Sequence, residues 1–151
     1  MRNNAHIMGR EERASFVFSH IAMFVVFVWF GALKFFDVSP ANPLVIDLYN
    51  QTIGVVLPFL SAHGFIYVLG GLEVIIGLCF LIIPLQRIGL ILLVPHMITT
   101  IMPLFLLPAI SWQAMLTPTL EGQYIIKNIV IIALAISIYV DSKKKYASRV
   151  K

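Results

Sequence analysis

One cysteine, Cys79, stands in the whole chain. An internal disulfide is therefore excluded, and so are C-x-x-C redox motifs and zinc-type cysteine spacing. Any thiol chemistry would come from a partner. Glycine-rich nucleotide loops, paired haem ligands and metal-ligand clusters are missing too. Charge is scarce: 12% of residues are Asp, Glu, Lys or Arg, about half the share in an average soluble domain. The net charge of +4 does not signal nucleic acid, because the basic residues stand at the chain ends and beside apolar runs, where membrane topology signals are placed.

What fills the space is apolar. Hydrophobic residues make up 60% of the 151, more than a soluble fold of this size can bury. A bilayer core of about 30 Å needs roughly 20 apolar residues in a helix. Four stretches qualify: 15–36; 64–83, stopped by Pro84; 87–107, stopped by Pro108; and about 118–140. The first is too long for a secretory signal core of roughly 7–15 residues and has no small-x-small cleavage site. It reads as a retained helix. Thr117 reads as the N-cap of the last helix, with Pro118 at its first position and Glu121 in its first turn. The expectation is one all-α membrane domain: a four-helix transmembrane bundle surrounded by lipid.

Lysine and arginine set the orientation. Arg2, Arg10 and Arg13 precede the first span, Arg87 occupies the short turn between the second and third, and Lys143, Lys144, Lys145, Arg149 and Lys151 follow the fourth. The connections 37–63 and 108–117 have neither residue; that side carries Asp37, Asp47 and Glu121. Both termini are therefore expected in the cytoplasm. The first outer connection is too long and too apolar for a plain loop. Asn42-Pro43 reads as a cap and helix start, and the apolar run 53–60 is too short to cross. Short interfacial helices lidding the outer face are expected, a loosely associated loop being the alternative.

Ionisable residues inside a span cost at least about 2.5–3.5 kcal/mol near the centre, so they point to function or to specific pairing. Lys34, Glu73, His96 and Lys127 lie one to each span. At about 1.5 Å per residue, Glu73 and Lys127 lie about 13–14 Å below the outer end of their helices. Lys34 is near the outer end of the first span and His96 near the middle of the third. All four are expected to converge in the outer half. Gly70 and Gly77 share the face of Glu73 and mark close helix packing. Thr99, Thr100 and Pro103 share the face of His96, Gln123 and Asn128 accompany Lys127, and Trp29 precedes Lys34. The candidate ligand-binding or proton-relay set is therefore Trp29, Lys34, Glu73, His96, Gln123, Lys127 and Asn128, with Phe30 and Tyr124 as aromatic walls. No catalytic residue and no metal ligand is assigned. Plain structural readings compete: Lys34 snorkels to the headgroups, Glu73 and Lys127 only hold the bundle together, and His96 bonds a carbonyl freed by Pro103.

Three segments carry a family resemblance: Trp29-Phe30-Gly31-Ala32-Leu33-Lys34-Phe35, Gly71-Leu72-Glu73-Val74-Ile75-Ile76-Gly77, and Gly122-Gln123-Tyr124-Ile125-Ile126-Lys127-Asn128. Together they resemble the DoxX-like superfamily of small four-helix membrane proteins. Within it the chain looks most similar to the bacterial reactive-chlorine-resistance inner-membrane family (RclC/YkgB-like), over roughly 25–140. The first outer connection is shorter than in that family. The resemblance implies an inner-membrane location and links to quinone or thiol oxidation, to oxidative-stress defence, or to assembly. Three functions follow as expectations. One is a redox-associated subunit binding a quinone or a small oxidant or anion, with electrons supplied by a partner redox protein. The others are a non-enzymatic assembly or structural protein and a small transporter, and each is compatible with an oligomer. Two lysines and one carboxylate would give the site one excess positive charge, which favours an electron-rich ligand.

Overall fold

The computed structural model describes residues 9–149, with side chains to residue 143. Arg2, the side chains from Lys144 to Arg149, and Lys151, all used to read the orientation, lie outside the description. The chain is an all-α four-helix bundle in which four helices are long and apolar enough to cross a membrane. Four crossings return the chain to the side on which it started.

The first long helix, α1, spans Arg10–Phe35 and begins five residues before the apolar run. Glu11 and Glu12 suit the positive end of its dipole, and the Glu12 carboxylate accepts from the Gly9 backbone N–H at 3.1 Å. It ends at Asp37, in the left-handed region at φ 55°. There the N–H of Val38 donates to the Leu33 carbonyl and that of Asp37 to the Lys34 carbonyl, a Schellman closure. Next come α2, Asn42–Gln51, and the four-residue α3, Ile53–Val56. Asn42 is already helical and Ala41 is the N-cap; proline in the first turn, Pro43, fixes the start.

The second span, α4, covers Ala62–Leu81, its N-terminus capped by the Ser61 hydroxyl accepting from Gly64 N–H at 3.0 Å. A 3₁₀ turn, Ile83–Leu85, leads straight into α5, Gln86–Ile101. Regular helix stops there, short of Pro108. The path runs on through α6, Pro103–Leu106, which Pro103 opens at its first position, and α7, Pro108–Ser111.

The second outer connection differs from the sequence reading. Thr117 is no N-cap and Pro118 is not helical. They form β2, Thr117–Pro118, paired antiparallel with β1, Trp112–Ala114. The turn between them needs Leu116 at φ 59°. The last helix, α8, runs Leu120–Arg149, and Thr119 supplies the hydroxyl that accepts from Gly122 N–H at 3.1 Å. A second candidate cap two residues on, after a proline that could serve a strand edge, is why the start was misplaced.

The short helices α2, α3, α6 and α7 and the β1–β2 pair gather at one end, the lid end. Tyr49 donates to the Leu60 carbonyl and packs with Phe65 and Leu69. Trp112 Nε1 donates to Leu104 O at 2.9 Å, and Thr119 Oγ1 to Ile110 O at 2.6 Å. Below the lid, Met23, Phe27, Ile76, Phe80, Leu93, Met97, Ala135 and Ile138 fill the bundle centre. Large apolar side chains cover the outside, as expected where the surrounding medium is lipid: Phe18 is 73% exposed and Val130 69%.

Candidate functional site

A close approach of α1 and α4 positions the site. A Cβ on Gly31 would lie 2.7 Å from the Gly70 carbonyl oxygen, and one on Gly70 would lie 2.9 Å from the Gly31 carbonyl oxygen. Only hydrogen fits on either side, so the α1 and α4 backbones nearly touch. Gly77 continues the contact against Val28 and Phe27. The residue three after Gly31 is Lys34, and the residue three after Gly70 is Glu73. One helical turn puts each on the same face as its glycine, and the two side chains meet.

Lys34 Nζ lies 2.7 Å from Glu73 Oε2, with both residues buried. Nζ also reaches the Phe30 carbonyl at 3.5 Å. The other carboxylate oxygen, Oε1, lies 3.5 Å from His96 Nε2 on α5. Three of the four spans therefore meet at one carboxylate. The snorkelling reading of Lys34 falls: its side chain turns inward to an acid rather than outward to headgroups. His96 does not bond a carbonyl freed by Pro103 either. Thr99 and Thr100 use their hydroxyls on their own helix, donating to Pro95 O at 3.0 Å and His96 O at 2.9 Å.

The orientation of His96 has a chemical consequence. A ring N–H at Nε2 facing Glu73 leaves Nδ1 as a lone-pair acceptor in the neutral ring. That atom is buried and has no partner among the described residues. Phe27 meets the ring edge-on at 5.7 Å. The cluster thus contains an ion pair, a histidine and one open hydrogen-bonding position.

The other candidates stay outside. Lys127 is exposed, and its Nζ lies over the Tyr124 ring, 4.9 Å from the centroid. Gln123 is exposed as well and Asn128 is only half-buried. Depth on α8 was compatible with convergence, but the helix presents Ile125, Ala135 and Ile138 inward and turns this polar group away. The aromatic walls fail for the same reason: Trp29, Phe30 and Tyr124 are 63%, 54% and 61% exposed. Trp29 lines a shallow groove along α1 with Phe24, Val28 and Leu33. Without Lys127 the cluster has no excess positive charge, and the charge argument for an anion goes with it.

A second buried polar pair was not foreseen. His20 Nε2 on α1 accepts from the Gln86 side-chain amide N–H across 2.5 Å, and its Nδ1–H donates to the Phe16 carbonyl at 2.6 Å. His20 is 5% exposed and Gln86 1%. The signal was present, since His20 is an ionisable residue inside the first apolar run. It lies 14 positions before Lys34, about 21 Å along the helix, with the apolar centre between. Among the described residues no group of histidine, cysteine, aspartate and glutamate is placed to hold a metal ion.

The fold and site define a membrane-spanning helical bundle with a buried polar cluster in the lid-side half. No protein-family model matches the chain, and no curated protein or solved structure matches it.

Proposed function

We propose that this chain is a bacterial inner-membrane protein of redox metabolism or oxidative-stress defence that binds a quinone head group or a small oxidant beside Lys34, Glu73 and His96. The observation that supports it is the Glu73 carboxylate held between Lys34 Nζ at 2.7 Å and His96 Nε2 at 3.5 Å, with His96 Nδ1 left open. A carbonyl-bearing ligand suits Lys34 Nζ, a hydrogen-bond donor, and a hydroxylic one suits the unpartnered His96 Nδ1. Glu73 and His96 form a two-member proton path between carboxylate and imidazole. A bound quinone would supply the electron-accepting chemistry; electrons would come from a partner redox protein. Of the three motifs that carry the DoxX-like resemblance, the first two meet at this cluster, while in the third Gln123, Tyr124 and Lys127 are exposed on α8. In this reading both termini are cytoplasmic and the lid faces outward.

The test is thermal stability of the purified protein with a series of short-chain quinones and with small anions, for wild type and His96→Leu. A rise of a few degrees with a quinone in wild type only is expected, as for any ligand that binds the native state alone. No shift with any compound sinks the ligand reading. It would leave the second reading, a structural or assembly protein, which the tight Gly31–Gly70 contact favours: an ion pair beside a close crossing also serves as a register lock.

A further inference from the structure

Lys127 is an anomaly. Ionisable side chains within membrane helices face the bundle interior or a water-filled cavity almost without exception, yet this one is exposed on α8. It stands seven residues after Leu120, about 10 Å along the helix. Among the described residues no carboxylate pairs with it. Its ammonium rests on the ring of Tyr124, itself exposed. Gln123, one turn away, is exposed on the same side, and Val130, Ala133 and Ser137 continue that side toward the other end. The exposed side is thus polar in its lid-side half and carries the small residues Ala133 and Ser137 below, while Ile125, Ala135 and Ile138 are buried in the bundle.

We propose that this face of α8 docks a transmembrane helix of a different protein, one that carries a carboxylate in its lid-side half. Charge complementarity selects the occupant. A lysine in a low-dielectric surround is answered best by a carboxylate at the same depth. A second copy of this chain does not offer one. Its span-buried acid, Glu73, is enclosed and paired with Lys34. Glu121 stands six residues nearer the lid end, about 9 Å away along the axis. Pairing two copies through this face about a two-fold axis would set Lys127 against Lys127. Gln123 adds a hydrogen bond to the incoming helix, and Ala133 and Ser137 let its backbone come close.

The test uses defined partners in zwitterionic phosphatidylcholine bilayers. Energy transfer is measured between the labelled full chain and single-span polyleucine peptides carrying one glutamate about 10 Å from the lid-side end, one glutamine there, or leucine throughout. The glutamate peptide is expected to associate about tenfold more tightly than the other two. Lys127→Met is expected to abolish that preference without changing the melting temperature. Equal association of the three peptides overturns the proposal, as does a preference that survives Lys127→Met. Self-association of the chain that is lost in Lys127→Met overturns it in favour of a second copy. A thermal shift with added phosphatidylglycerol that depends on Lys127, with no peptide preference, overturns it in favour of a lipid phosphate.

Discussion

Glu73 meets both Lys34 and His96, and its removal is the sharpest single-residue test. Losing one partner of a buried pair strands the other charge, typically at about 3–5 kcal/mol. Glu73→Gln is expected to lower unfolding stability in detergent by that order, whereas Asp47→Asn, on the exposed side of α2, is expected to stay within about 0.5 kcal/mol. A Glu73→Gln protein as stable as wild type would mean that Lys34 is satisfied elsewhere. Leu116 offers the opposite sign. It sits at φ 59° and is 83% exposed, so its side chain contributes little packing while the backbone is strained. Leu116→Gly is expected to raise stability by about 1 kcal/mol; a loss would show that the leucine packs against something outside the chain. At this scale the sequence was legible for composition and less so for direction. Lys34, Glu73 and His96 were recognisable because ionisable groups are conspicuous in apolar runs. His20 obeyed the same rule and was passed over.

Helix pairs decide which of those residues meet. Gly70 and Gly71 are neighbours on α4 with different surroundings. A Cβ at position 70 collides with the α1 backbone, while one at position 71 meets only Phe35 Cζ, at 3.8 Å. Gly70→Ala is therefore expected to cost about 1–3 kcal/mol, as overpacking does. Gly71→Ala is expected to be neutral or to gain up to about 0.5–1 kcal/mol from helix propensity. Both are read from detergent unfolding, and equal effects would move the α1–α4 crossing elsewhere. The face of α4 was readable from its glycine spacing, since Gly70, Glu73 and Gly77 recur at three and four. The face of α8 was not. Its run of Ile, Val and Leu is apolar on all sides, so periodicity could not say which side turns inward, and Lys127 was placed by depth alone. The β1–β2 hairpin escaped because five or so residues with one proline carry too little alternation to be told from a loop.

Over the whole molecule, span number was visible from length and hydropathy, because lipid imposes a minimum helix length. Orientation rests on the basic residues and is testable. Reporter fusions after Arg87 and at the C-terminus are expected to report the cytoplasm, and fusions at Asp47 and Trp112 the opposite side; a cytoplasmic Asp47 would invert the assignment. Glu73 joins α1, α4 and α5 through Lys34 and His96 and leaves Lys127 apart. Double-mutant cycles on global unfolding in detergent measure this most directly, with Glu73→Gln combined in turn with Lys34→Met and Lys127→Met. Residues in direct contact couple by about 0.5–3 kcal/mol, and separated ones add to within about 0.5 kcal/mol. A Lys34–Glu73 coupling near the top of that range, about 2–3 kcal/mol, is expected, and a Lys127–Glu73 coupling below about 0.5 kcal/mol. A large coupling to Lys127 with none to Lys34 would contradict this arrangement.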